Sequence, residues 1–310
     1  MASSKTSIYA ALIANLLIAV TKFIAGGISN SAAMVAEGVH SVVDTVNELF
    51  LLLGIHRSKK LPDATHPFGY GKELYFWSFI VSIMIFGLGG GISIYQGIAH
   101  IIKPEELGDP TINYIVLSLS IVFEGASLII AIKQFNKIRG TTPFWQAVIK
   151  SKDPSSFLVL FEDAAAVAGL FIVMICVYIS HRFNKPYVDG VASLLVGLIL
   201  VVVSAILARE SRSLLMGEGV STQTRDKICR LVEGDNHVTK VMHILSTYQS
   251  PTEVLLMLIV AFKEDMDTSE INVAIDRIRD DVKAEFKFVR FVVIQPESLE
   301  HHILWNDDKH

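Results

Sequence analysis

Over its first two-thirds the chain alternates long apolar runs with short polar connections, and then its character changes. Runs near the ~20 residues that a helix needs to cross a bilayer cover Ile8 to Ala25, Ala32 to Leu53, Leu74 to Ile101, Ile112 to Ile132, Phe157 to Ser180 and Val188 to Ala208. The pattern predicts a polytopic α-helical membrane protein with six transmembrane helices. After Arg209-Glu210-Ser211-Arg212 the runs shorten and charges become frequent. There Thr222 to Glu233 reads as a helix. Val241 to Gln249 and Glu253 to Phe262 read as strands joined by a turn at Ser250-Pro251-Thr252. Ser269 to Phe286 is a second helix, and Phe288 to Gln295 a third strand ended by Pro296. This αββαβ order predicts a small ferredoxin-like α+β domain, one face of its sheet covered by helices and the other free for association. The expected division is residues 1–210 and 211–310.

Composition agrees with the pattern. Of 310 residues 51% are hydrophobic and 19% charged, and the mean hydropathy of +0.47 is too high for an ordinary soluble chain. A net charge of −4 without a basic block argues against nucleic acid as a partner. Cys176 and Cys229 are too few and too differently placed for a disulfide framework or a thiolate metal site, and read as structural thiols. Six spans put both termini on one side. Arg57, Lys59, Lys60 and Lys72 in one loop, and Lys133, Lys137, Arg139, Lys150 and Lys152 in another, assign that side to the cytoplasm. The opposite loops hold only Lys103, Arg182 and Lys185. MASSKTS shows neither a cleavage site nor a transit peptide, so the first run is expected to be a retained helix in a bacterial inner membrane.

The second apolar run carries Glu37, His40, Asp44, Asn47 and Glu48. A charge at membrane depth costs roughly 2.5 to 3.5 kcal/mol on insertion scales, so such residues mark ion paths or relays. His40 and Asp44 lie one turn apart on one helix face, Glu37 a turn before and Asn47 a turn after. An imidazole and a carboxylate at i and i+4 can both reach one divalent transition-metal ion. A structural His–Asp pair that glues helices together also fits such a face, though it rarely needs so many polar companions. The fifth run adds Glu162 and Asp163, whose side chains leave a helix ~100° apart and so face different neighbours. His40, Asp44 and Asp163 supply three ligands, and Glu162, Glu37, Asn47 or water a fourth.

Other polar residues have blander expectations. Lys22 is near enough to the end of its run to snorkel. Glu124 in the fourth run is a proton carrier or a hydrogen-bonding partner. Gly87, Gly89, Gly90 and Gly91 in the third permit close packing or bending. Asp189, at the outer end of the sixth, is expected to stay hydrated as a boundary residue, and the terminal His301 and His302 offer a weak metal reading.

The combination resembles the cation diffusion facilitator family along essentially the whole chain. The resemblance rests on the His40-Ser41-Val42-Val43-Asp44 pair, the segment Asp63-Ala64-Thr65-His66-Pro67-Phe68-Gly69-Tyr70-Gly71-Lys72-Glu73, the acidic fifth span and the tail order. It implies a homodimer that exports Zn²⁺ or a related divalent cation in exchange for protons, with no prosthetic group and no covalent reaction, and with the tail as a dimerisation and regulatory module. The family's fifth-span motif is His or Asp, three residues, then Asp. Here Asp163 takes the second place, Val159 stands at the first, and Glu162-Asp163-Ala164-Ala165-Ala166-Val167 resembles the branch containing the mitochondrial-type zinc transporter. One nitrogen with several oxygens also suits Mn²⁺, Fe²⁺ or Co²⁺. Asp63 and His66 match two ligands of a secondary loop site, where Tyr70 replaces the third; His243 matches one ligand of a tail site whose other positions are apolar, as at Ile294.

Of the other function classes, an intramembrane metalloenzyme requires a His-Glu-x-x-His pair or an equivalent that the chain lacks. A non-transporting scaffold would use only the tail.

Overall fold

The computed structural model describes residues 2–104 and 109–298. The chain forms two compact units, Met1–Lys60 with Lys72–Arg212, and Leu61–Gly71 with Ser213–His310.

The first unit is helical: α1 (Ala2–Ser29), α2 (Ala32–Ser58), α3 (Glu73–Met84), α4 (Ile92–Ile102), α5 (Thr111–Arg139), the short α6 (Phe144–Lys150), α7 (Pro154–Phe183) and α8 (Tyr187–Met216). Among the described residues five spans are long and apolar enough to cross a membrane, and α1 adds a shorter apolar stretch, Asn15–Ser29. Many of the outward side chains are large and apolar, among them Leu17, Phe86, Ile115, Val122, Ile175 and Val202, all more than half exposed where a soluble protein would carry charge. Turn chemistry sets the joints. Asn30 takes a left-handed φ of 51° between α1 and α2, a conformation that asparagine tolerates, and Ser31 then caps α2 by accepting from the Met34 N–H.

The glycine-rich third span is not one regular helix. Ile85–Gly91 winds as a π-helix between α3 and α4. Its glycines, with Gly97 beyond them, let α8 approach closely: a Cβ on Gly97 would meet the Leu194 nitrogen at 2.6 Å and the Gly190 oxygen at 2.8 Å. The third and sixth spans are thereby seated backbone against backbone.

The second unit contains α9 (Thr222–Glu233), β1 (Val238–Ser250), β2 (Glu253–Phe262), α10 (Thr268–Glu285) and β3 (Val289–Pro296). The sheet order is β1-β2-β3, antiparallel then parallel. Val254, Leu256, Leu258 and Val260 alternate onto one face and are fully buried with Ile228, Val232, Ala274, Ile278 and Val282. The other face presents Leu255, Met257 and Ile259, half-buried, with Val293 exposed. The segment Leu61–Gly71 packs with this domain, Phe68 edge-on to Phe291 at 5.3 Å between ring centres.

Two polar residues depart from expectation. Lys22 does not snorkel; it is fully buried, its ammonium 3.1 Å from Glu37 Oε2 and 2.8 Å from Ser41 Oγ. A long flexible stem reaches a carboxylate more cheaply than water when the carboxylate lies on the adjacent helix. Asp189 is not hydrated. It too is fully buried, accepting from Ser31 Oγ at 2.6 Å and from the Ala33 N–H at 3.1 Å, and so tying α8 to the first turn of α2. His301 and His302 lie outside the described residues.

Candidate metal centre

On α2 the i, i+4 spacing brings His40 Nδ1 to 3.1 Å from Asp44 Oδ1. The contact is one of proximity. Both ring nitrogens of His40 and Oδ1 of Asp44 are buried without a hydrogen-bond partner among the described residues. Buried polar atoms left so cost roughly 1–3 kcal/mol each, which makes them candidates for a bound cation.

Beside them is a cavity of about 230 Å³ between α1, α2, α5 and α7. Asp44, Glu48, Glu124, Glu162 and Asp163 line it, with Asn15, Ser41, Ser127 and apolar residues, and among the described residues no Lys or Arg lines it. Glu162 and Asp163 diverge as their helical offset requires. Glu162 Oε1 accepts from Asn47 Nδ2 of α2 at 2.6 Å, while Asp163 Oδ2 accepts from Ser127 Oγ of α5 at 2.8 Å. Asn15 of α1 donates to Glu48 at 3.3 Å. Four helices thus each hold one wall of an acidic pocket.

Among the described residues no three His, Cys, Asp or Glu side chains are close enough to hold one ion together. Like charges at ~4 Å repel by about 4 kcal/mol at an effective dielectric of ~20, and a divalent cation reverses the sign of that term. The pocket therefore has the charge and donor chemistry to attract a hard or borderline cation.

The remaining sequence candidates are distributed around this pocket or away from it. Glu37 faces Lys22 and does not line the cavity, and Asn47 acts through Glu162. Asp63 lies in the other unit. Its Oδ2 accepts from Tyr70 at 2.6 Å, and its Oδ1 from the Thr65 hydroxyl and the backbone N–H groups of Thr65 and His66. Tyr70 foremost among these donors holds the Asp63 carboxyl well below the usual carboxylate range. His66 Nδ1 sits 3.7 Å from the same carboxylate. His243 pairs with Ile259 in the β1–β2 ladder and lines a separate hollow with Cys229 and Asp226, while Ile294 is buried in the sheet core.

Glu48 and Ser127 also line the cavity, to which the sequence pattern had not assigned them. Ser127 follows Glu124 by three positions, so one helical face carrying two polar residues was there to be seen. Glu48 follows Asp44 by four on the same stripe.

A family profile for the cation efflux transmembrane domain matches residues 8–216. The mitochondrial proton-coupled zinc antiporter SLC30A9 of Mus musculus is 35% identical over 229 residues, 73% of this chain and 40% of that protein. Metal tolerance protein C4 of Arabidopsis thaliana is 32% identical over 85% of this chain and 57% of that protein. The manganese efflux system protein MneP of Bacillus subtilis (strain 168) is 26% identical, covering 92% of each chain. The chain spans about half the length of the first two relatives. Among solved structures, a C-terminal domain of MamM in its nickel form is 12% identical over 26% of this chain and 100% of that one, with a TM-score of 0.25.

Proposed function

The chain belongs to the cation efflux family, and from that premise we propose that it is a homodimeric, proton-coupled exporter of a divalent transition-metal ion, with zinc as the cargo. The observation that carries the reading is the acidic cavity bounded by four helices, with Asp44 on its wall and the buried His40 imidazole 3.1 Å behind that carboxylate. His40, Asp44, Glu162 and Asp163 are the proposed ligands. The reaction is transport, with no bond made or broken in the cargo.

The proposed cycle is alternating access, in which α1, α2, α5 and α7 rock against the closely seated third and sixth spans. Ligands shed protons to bind metal, so uptake of the ion and release of protons are linked by the ligand chemistry. The nitrogen of an imidazole that binds a metal ion is the one a proton would otherwise occupy, which suits His40 to exchange a proton for the ion. The tail, residues 211–310 as a dimerisation module, and cytoplasmic termini in a bacterial inner membrane complete the proposal.

The test is zinc uptake by proteoliposomes under an imposed pH gradient. His40→Ala and Asp163→Ala should each abolish metal-dependent proton flux, and wild-type flux in both would reject the site. A manganese cargo is the second reading, favoured by a donor set with one imidazole and several carboxylates. A competition assay with Mn²⁺ against Zn²⁺ separates the two.

A further inference from the structure

One buried charge pair lies outside the ligand set. Lys22 of α1 and Glu37 of α2 are both fully buried, with Nζ 3.1 Å from Oε2. The same ammonium donates to Ser41 Oγ at 2.8 Å. Glu37 stands three residues before His40 and Ser41 one residue after it, so the ammonium bridges two positions that flank His40 on α2. The other carboxylate oxygen, Glu37 Oε1, is buried without a hydrogen-bond partner among the described residues. It faces Gly169 of α7, where a Cβ would come within 3.0 Å of it. α7 thus leaves room for a carboxylate oxygen on the helix that also carries Glu162 and Asp163.

We propose that Lys22 is a built-in counter-cation that holds Glu37 out of the ligand set and so fixes how many carboxylates a divalent ion meets. The inference rests on the transport reading and deepens it. With Lys22 in place the Glu37 charge is matched, and the ion is bound by the cavity carboxylates and His40 alone. Remove the ammonium, and Glu37 becomes a further anionic donor one turn from His40, so that the ion binds more tightly and leaves more slowly. Remove the carboxylate, and a bare buried cation faces the ion and weakens its binding. A pair that only glued α1 to α2 would respond differently, because either loss would loosen the same contact.

The test is zinc uptake by reconstituted full-length protein, read as KM and turnover for Lys22→Gln, Glu37→Gln and the double variant, each first checked for a monodisperse elution profile. Lys22→Gln should lower KM about tenfold with a matching fall in turnover, and Glu37→Gln should raise KM about tenfold. The double variant should shift KM less than either single change. Lys22→Gln carries the discriminating sign, because Glu37→Gln raises KM on either account; should Lys22→Gln fail to fold, Lys22→Met repeats the test. Single variants that both raise KM, or leave it unmoved, while the unsubstituted protein transports zinc overturn this inference alone. Absence of zinc uptake by the unsubstituted protein overturns the transport reading and this inference with it.

Discussion

Asn47 on α2 and Glu162 on α7 are joined by a 2.6 Å hydrogen bond in which the amide donates to the carboxylate. The bond connects the helix of His40 and Asp44 to the helix of Asp163, so it fixes the separation of the two halves of the proposed site. It also aims one oxygen of Glu162 at α2. Residues that orient a metal ligand without touching the metal typically change affinity 10–100-fold when removed. Asn47→Leu keeps the approximate volume and deletes the donor. Its expected outcome is a zinc KM raised at least about tenfold, with protein yield close to wild type. A KM within twofold of wild type would show that Glu162 is positioned by something else.

The alternation of apolar and polar runs revealed the helices because bilayer thickness imposes a length that periodicity alone does not. The i, i+4 spacing of His40 and Asp44 and the divergence of Glu162 from Asp163 followed from helix geometry alone. Partners between helices were less legible. Lys22 looked like a residue near the end of a run, and only the three-dimensional neighbourhood of Glu37 and Ser41 explains its burial. Asp189 was misjudged for the same reason, since its donors, Ser31 and Ala33, are more than 150 residues away in the chain. In the tail, α10 begins one residue before its expected start because Asp267 and Glu270 form a reciprocal capping box, a D-x-x-E signal present in the sequence. The strand β1 runs further back than its apolar part, to Val238, through a bulged and solvent-facing start at Thr239 and Lys240.

Gly97 and Gly87 make opposite predictions from one glycine-rich span. A Cβ at 97 would press on the backbone of α8, which cannot yield as a side-chain tip can. Gly97→Ala should therefore destabilise the purified protein by about 1–3 kcal/mol. A Cβ at 87 meets nothing within 4 Å. Gly87→Ala should be neutral or mildly stabilising, through the lower chain entropy of alanine. Thermal unfolding in detergent distinguishes them, and equal melting temperatures would mean that the third and sixth spans are not seated as described.

Asp235 and Arg277 give the tail a pH-dependent contribution with a definite sign. The guanidinium donates two hydrogen bonds to the carboxylate, at 2.6 Å and 2.9 Å, and holds the Asp235 carboxyl below its ordinary range. A folded-state pKa below the unfolded value of ~3.9 stabilises above that pH, and the contribution is lost as pH falls through the folded value. Arg277 is 41% exposed, so solvent screening keeps the contribution of the pair small. Asp235→Asn should lower the unfolding temperature of the tail at pH 7, with the gap to wild type closing below about pH 4. Thiol labelling of Cys229 during heating reports the transition. A gap that persists undiminished at pH 3 would assign the effect to packing.

Tyr70 occupies acceptor capacity on Asp63 that a metal would otherwise use. Its hydroxyl donates to Asp63 Oδ2 at 2.6 Å, and its ring lies 4.1 Å from the ring of His66, so three side chains already converge in Leu61–Gly71. A phenol that donates to the carboxylate blocks one oxygen and brings no nitrogen ligand. Tyr70→His replaces it with an imidazole of shorter reach and leaves Asp63 Oδ2 open, giving two imidazoles and a carboxylate, a donor set suited to zinc. The variant should bind one zinc ion more per chain than wild type, measured by metal analysis after dialysis, and Asp63→Ala in the same background should remove it. An unchanged zinc content would mean that the Thr65 hydroxyl and the Thr65 and His66 backbone N–H groups on Oδ1 turn the carboxylate away from the other two side chains.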